Sequence, residues 1–259
     1  MDGRIHVAEF DRTRGAIVHT GHCCGVLRMG VERTLKQLRR TLYGLRAFVP
    51  GWRRRHKLEA MVGPLGFWDK LQSYQLRAAI GLGLSPGSSL LDLGCGPLQG
   101  GIAFIRYLEA GHYTGVDHNP EAIQIGQEEI SRLALREKKP RLFVSRSFGD
   151  EELGPSCFDF IWISQVLYYF DEPTMHRLSE MVRRRLAPDG VMVGDILGPE
   201  SDRSFLRPPL PPVHTAESLD LIASEHGLRV ANLGTLADWG YPRRVGLRNN
   251  ILLRVHHLK

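Results

Sequence analysis

Two aspartates and a run of glycines carry the clearest chemical signal in the sequence. Asp92 closes the apolar stretch of "LLDLGCGPLQGG", and Gly94, Gly96 and Gly100 follow it. Glycines after a first strand let the backbone approach a nucleotide closely, and they leave the next helix N-terminus free to donate N–H groups. An acid just before them would repel a pyrophosphate, so it suits a cation instead. Asp117 ends a second apolar run, "HYTGVD", where a carboxylate accepts hydrogen bonds from both ribose hydroxyls. The pair describes a ligand with a ribose and a positively charged head, and without a polyphosphate.

Other side chains could move protons or hold metal. His214 closes a proline-rich stretch, and an imidazole that titrates near neutral pH would suit a hydroxyl acceptor as general base. His118, next to Asp117, is expected to line the ligand site, and His176 to lie on a helix surface. "HTGHCCG" offers His19, His22, Cys23 and Cys24, which are zinc-type ligands. Adjacent cysteines make a cramped tetrahedral site, so no metal is expected there.

The elements that must position these residues follow from periodicity. From about residue 84, short aliphatic or β-branched runs alternate with helical patterns, the signature of a parallel sheet covered by helices. Strands are expected at "SSLLDLG", "HYTGVD", "RLFVSR", "FDFIWISQ" and "VMVGDIL", the last fed by a turn at "PDG". Asn119 and Pro120 open the helix after the second strand as N-cap and first residue. "GPESDRSFLRPPLPPVH" is too rich in proline for helix or central strand and reads as a long loop over the site. After a helix at "TAESLDLIASEHG", the runs "LRVANLGTL" and "NNILLRVHHL" should pair antiparallel at the sheet edge.

Upstream, Val31, Leu35, Leu38, Leu42, Leu45 and Val49 give one greasy helix face, and Arg33, Lys36, Arg39, Arg40 and Arg46 a basic one, with Pro50 as the stop. "RRRHK" continues the charge, and Trp52 is the one aromatic inside the basic run. This face could be the solvated side of a helix capping the pocket, a surface for anionic lipid or nucleic acid, or a contact in a homodimer. Sparse aromatics argue against nucleic acid as partner. A second amphipathic helix, "FWDKLQSYQLRAAIGLGL", leads into the first strand.

The chain is 42% hydrophobic and 24% charged, with 34 basic against 28 acidic residues, which excludes wholesale disorder and fibrous repeats. The N-terminus does not read as a secretory signal, and no stretch approaches the roughly 20 apolar residues of a membrane span. A cytoplasmic location is expected. Four cysteines, two of them adjacent and Cys95 inside the glycine bend, read as reduced thiols.

"LLDLGCG", "YTGVDHNPEAI", "FDFIWISQVLYYF" and "LAPDGVMV", in this order and spacing, resemble successive motifs of the Rossmann-like (class I) S-adenosylmethionine-dependent methyltransferases. The resemblance covers residues 66 to 198, then the C-terminal strands by pattern, and not the first 60. It implies an α/β fold: a doubly wound, seven-stranded, mostly parallel sheet with an antiparallel last strand, spanning 61–259 after an N-terminal helical extension over 1–60. S-adenosyl-L-methionine is the implied cofactor. Asp92, Gly94, Cys95 and Gly96 would surround its methionine moiety, Asp117 its ribose, and Ser164 with Gln165 would lie near the methionine end. Two positions depart from the pattern. Leu98 stands where the family has a third glycine, with Gly100 and Gly101 nearby to restore room. Ser147 and Phe148 best match the adenine-contacting pair, with Asp150 competing. Tyr168 and Tyr169 match a position where relatives carry a histidine or another polar residue, which adds them to His214 as catalytic candidates.

The activity this implies is methyl transfer to oxygen or nitrogen of a small molecule, such as a secondary metabolite or sugar. A nucleic acid or membrane-associated acceptor reached through the basic helix, and cofactor binding without catalysis, are the alternative readings.

Overall fold

The computed structural model describes residues 10–11, 16–17, 50–204, 206 and 213–258. The chain divides into two compact units, residues 1–56 and 57–259. In the first, Phe10–Asp11 pairs antiparallel with Ala16–Ile17. The amphipathic pattern from Val31 to Val49 and the quartet His19, His22, Cys23 and Cys24 lie outside the described residues. Pro50, expected as a helix stop, is the first residue of a helix, α1 (Pro50–Val62), where its missing N–H costs nothing.

The second unit is built on strands β1 (Leu90–Leu93), β2 (Tyr113–Asp117), β3 (Arg141–Val144), β4 (Phe158–Ile163), β5 (Leu186–Ile196), β6 (Leu228–Thr235) and β7 (Ile251–His257). They form one seven-stranded sheet in the order β3-β2-β1-β4-β5-β7-β6. β1 to β5 run parallel, and β7 is antiparallel to both neighbours. The two C-terminal strands pair as expected, but β7 inserts between β5 and β6, so β6 is the edge. Its main chain is partly blocked by side chains: Val230 N–H donates to Asp220 Oδ1 (2.8 Å) and Gly234 N–H to Asn232 Oδ1 (2.9 Å). Such cover suppresses pairing with foreign strands.

The central strands are apolar on both faces because helices cover both. Helices α2 (Trp68–Gly81), α3 (Gly101–Tyr107) and α4 (Pro120–Arg132) share a core with Phe160 and Trp162 of β4. Helices α5 (Glu172–Arg185) and α6 (Ala216–Glu225) pack on Ile161 and Ile163 from the other side. The caps are local in sequence: Asn119 accepts from Glu121 N–H, Asp171 from Thr174 N–H, and Thr215 with Ser218 forms a capping box. Pro188-Asp189-Gly190, expected as a turn, falls within β5. The register moves from Phe158 opposite Leu186 to Phe160 opposite Val191, so the segment is a bulge rather than a break.

The β1–α3 connection is shaped by Leu98. It is fully buried and left-handed, with φ 66°. A Cβ on Gly101 would stand 2.7 Å from Leu98 Cδ2, and one on Gly126 would stand 3.0 Å from Leu98 Cγ. Two glycines therefore make the socket for the leucine that replaces the third glycine of the bend. Leu98→Gly should relieve about 1 kcal/mol of backbone strain but lose a packed side chain. The net is a destabilisation of about 2–3 kcal/mol in denaturant unfolding; equal or greater stability would contradict this packing.

Candidate functional site

The tips of β1 and β2 bring Asp92 and Asp117 to the two sides of the glycine bend. Gly94 has φ +75°, and a Cβ there would meet Val166 Cγ2 at 2.5 Å, so this position requires glycine on both conformational and steric grounds. Gly94 and Cys95 N–H groups donate to Val116 O at 2.8 and 3.1 Å, which welds the bend to β2. Gly96 N–H donates to Asp117 Oδ2 and Asn119 N–H to Asp117 Oδ1, each at 2.8 Å. Each carboxylate oxygen thus spends one lone pair on the main chain and keeps another for a ligand. His118 is exposed, with Nδ1 3.4 Å from Asp117 Oδ1.

Asp92 is 4% exposed. Its Oδ2 accepts from Tyr113 O–H at 2.7 Å. Burial pushes its carboxyl up to about 7, the Tyr113 hydrogen bond opposes this, and the charge of Asp117 adds to it. No cation figures among those influences. A buried carboxylate without a positive neighbour is a site whose electrostatic complement is a cationic ligand.

The remaining candidates are placed less evenly. Cys95 is buried, with Sγ 3.0 Å from where a Gly115 Cβ would stand, and its thiol is pushed well above the usual range by burial. Gly100 faces the Gln75 carboxamide. That carboxamide accepts from Trp162 Nε1–H at 3.1 Å, so Gly100 admits a core contact. After β3, Ser145 Oγ accepts from Ser147 N–H (3.2 Å) and Gly149 N–H (3.0 Å), fixing the loop that carries Ser147 and Phe148. Ser147 is exposed, and Phe148 stands edge-on to Phe170 with centroids 5.5 Å apart. The competing Asp150 is drawn away into ion pairs with Arg184 and Arg185 of α5. Burial opposes its ionisation, but the hydrogen bonds from Arg185 and Arg184 hold its carboxyl below the usual range.

Beyond β4, Ser164 and Gln165 are half-buried. Gln165 is left-handed (φ 61°), a conformation costing a non-glycine residue about 1–3 kcal/mol, and it is held from both ends. Its N–H donates to Asp195 Oδ1 (2.7 Å) and its Nε2 to Tyr241 O–H (2.7 Å). Tyr168 is buried, with burial and then Asp195 pushing its phenol well up. Tyr169 is 57% exposed. His214 Nε2 lies 2.8 Å from Phe170 O. A carbonyl only accepts, so Nε2 carries the hydrogen and Nδ1 is the nitrogen left for proton transfer. His176 lies partly exposed on α5, as expected, with its Nδ1 3.1 Å from His226 Nε2.

Sequence reasoning missed several residues of this neighbourhood. Val62 of α1 covers Gly96, with Cγ1 3.3 Å from where its Cβ would stand. Glu59 fixes that end of α1 by accepting from Gly66 N–H (2.9 Å) and Trp68 N–H (3.2 Å). Asp195, a carboxylate inside the apolar run 191–196 of β5, was a readable signal; Tyr241, in an irregular connection, had none. An apolar cavity between α5, α6 and the sheet, lined by Met175, Leu178, Met192, Leu219, Ile222 and Leu253 among others, contains none of the candidate residues.

Residues 91–192 match the family model described as a methyltransferase domain. The matched span runs from β1 into β5. The strand order of the whole sheet and its antiparallel β7 are those of the class I methyltransferase fold. It is similar to the CcbJ methyltransferase from Streptomyces caelestis at 15% identity, covering 72% of this chain and 95% of that one, with a TM-score of 0.56. Magnesium protoporphyrin IX methyltransferase from Synechocystis PCC 6803, solved with bound SAM, aligns at 16% identity, 83% and 95% coverage and a TM-score of 0.53. The glycopeptide N-methyltransferase MtfA aligns at 14% identity, 72% and 90% coverage and a TM-score of 0.55. The superpositions show a shared fold. No curated protein matches the sequence. Among the described residues, no helix is long and apolar enough to cross a membrane.

Asp92 gives a direct test of the domain's electrostatics. Its folded-state value is raised, so its contribution to stability is complete below about 4 and lost as pH rises through about 7. Asp92→Asn should therefore gain on wild type on the order of 4 kcal/mol more at pH 8 than at pH 4, roughly 10 °C in Tm. A pH-independent difference would show that Asp92 titrates normally.

Proposed function

We propose that the protein binds S-adenosyl-L-methionine across the tips of β1 and β2 and transfers its methyl group to an oxygen or nitrogen of a small-molecule acceptor. The observation that carries this reading is the placement of Asp117. Its carboxylate ends β2, is braced by two main-chain N–H groups, and keeps one acceptor direction on each oxygen, which is the requirement of a ribose diol. The donor set fits the rest of the cofactor. Asp92 supplies buried negative charge for a cationic methionine group, and Ser147 with Phe148 stands beyond β3, where an adenine would extend.

When bound, the cofactor supplies an electrophilic methyl on a sulfonium that is already a good leaving group. The protein's contribution is to hold the nucleophile in line and keep the site dry. Val62, over Gly96, shields the bend from solvent. Gln165 and Ser164 orient the methionine end, and the acceptor enters from the side of β4 and β5, near the segment 164–170 and His214. His214 is held against that segment through Phe170 O. Should the acceptor need a base, His214 works through Nδ1; the exposed Tyr169 phenol can hold a polar group of the acceptor, and the buried Tyr168 packs behind it. The solved neighbours include enzymes whose acceptors are a glycopeptide nitrogen and magnesium protoporphyrin IX, which supports a small or medium-sized acceptor here.

Calorimetry with S-adenosylmethionine and S-adenosylhomocysteine tests the reading, followed by mass spectrometry for a gain of one methyl on candidate acceptors. Asp117→Ala should weaken cofactor binding by about 1.5–3 kcal/mol, roughly 10- to 100-fold, because charge-assisted hydrogen bonds are the strong ones. Wild-type affinity in that variant would remove Asp117 from the site.

A further inference from the structure

Asp195 is a buried carboxylate, 2% exposed, that plays no part in the cofactor contacts above. Both of its oxygens are engaged by segments on the acceptor side. Oδ1 accepts from Gln165 N–H at 2.7 Å and Oδ2 from Asn250 Nδ2 at 2.8 Å. Each partner passes the constraint on. Gln165 Nε2 reaches Tyr241 in the β6–β7 connection, while Asn250 Oδ1 accepts from Ser201 Oγ at 2.7 Å. Ser201 Oγ in turn accepts from Gly198 N–H at 2.9 Å, at the start of the proline-rich loop. One carboxylate at the tip of β5 therefore ties together the turn after β4, the β6–β7 connection and the root of that loop.

The titratable groups facing Asp195 are three phenols: Tyr74 from α2, Tyr168 from the turn after β4, and Tyr241. Burial and then the charge of Asp195 push all three above their ordinary range, so they stay neutral through the physiological span. No cation figures among the influences on Asp195 itself. Tyr74 O–H is buried, has no hydrogen-bond partner, and stands edge-on to Tyr241 with centroids 4.8 Å apart. An uncompensated carboxylate kept in such surroundings costs stability. What it provides is two strong acceptors that a neutral side chain of the same shape lacks.

Resting on the cofactor placement proposed above, we infer that Asp195, in its carboxylate form, is a positioning residue. It holds Gln165 in its left-handed turn against the methionine end of the cofactor, and its protonation releases that turn. It touches neither substrate nor cofactor and acts through Gln165 and Tyr241. Burial raises its carboxyl to about 6, opposed by the hydrogen bonds from Asn250 and Gln165, so the release falls just below neutral pH.

The test pairs a local with a functional readout on the full chain. The Gln165 amide proton, followed by NMR, should shift with a midpoint near pH 6. S-adenosylhomocysteine affinity, by calorimetry, should fall roughly tenfold or more between pH 8 and pH 5 in parallel, as expected for loss of a charge-assisted hydrogen bond. Asp195→Asn should be weak at pH 8 and lack this component of the pH dependence, leaving only what Asp92 contributes. Because that variant sets two amide donors against each other at Asn250, the exchange Asp195→Asn with Asn250→Asp restores the pairing. It should fold and show no titration at the Gln165 amide near pH 6. A Gln165 amide that does not move, or Asp195→Asn with the wild-type affinity profile, overturns the inference. A wild-type protein that binds no S-adenosylhomocysteine at any pH, while the Gln165 amide titrates, would sink the proposed function and leave the hold of Asp195 on Gln165 standing.

Discussion

The hydrogen bond from Gly96 N–H to the Asp117 carboxylate is the constraint around which the proposed cofactor site is organised. It fixes the bend after β1 to the tip of β2, and it works only because those strands are parallel neighbours, Leu93 beside Val116. The same contact keeps a charge-bearing side chain, 9% exposed, at the tip of β2. Removing the glycine would crowd Val62, and removing the aspartate would leave the N–H groups of Gly96 and Asn119 without that partner.

Buried acids recur at the strand tips, and each is arranged differently. Asp117 is braced by main-chain donors, Asp92 by one phenol, and Asp195 by a main-chain N–H and an amide. Burial raises Asp92 and Asp195 toward neutrality, which opposes folding at high pH, while the negative potential they keep is what the proposed cofactor site and the strained turn at Gln165 call for. Stability and site chemistry therefore pull in opposite directions at these positions, as they commonly do at functional sites.

The sheet was legible because its strands are continuous apolar runs closed by acids or glycines, and the helices because Asn119, Asp171 and Thr215 announce their own caps. The order of β6 and β7 was not: local pattern shows that two strands pair, not which of them also meets β5. The bulge at Pro188-Asp189-Gly190 read as a turn because turn chemistry and bulge chemistry use the same residues. In the site, Asp92, Asp117 and the bend could be named from spacing, since neighbouring strands of one motif fix them. Tyr113, Glu59 and Tyr241 could not, because their partners lie on other elements and only the fold brings them together. Asp150 was an ambiguous candidate for the same reason: its competitors for the carboxylate, Arg184 and Arg185, come from a distant helix.

The central claim is that Asp117 and the bend it braces cradle the ribose of an adenosine carrying a cationic methionine. The most direct measurement is a crystal structure of the protein with S-adenosylhomocysteine. The account predicts both ribose hydroxyls within hydrogen-bonding distance of the Asp117 carboxylate, with the amino acid end beside Asp92. Ribose bound elsewhere, or the Asp117 oxygens left facing only Gly96 and Asn119, would contradict it.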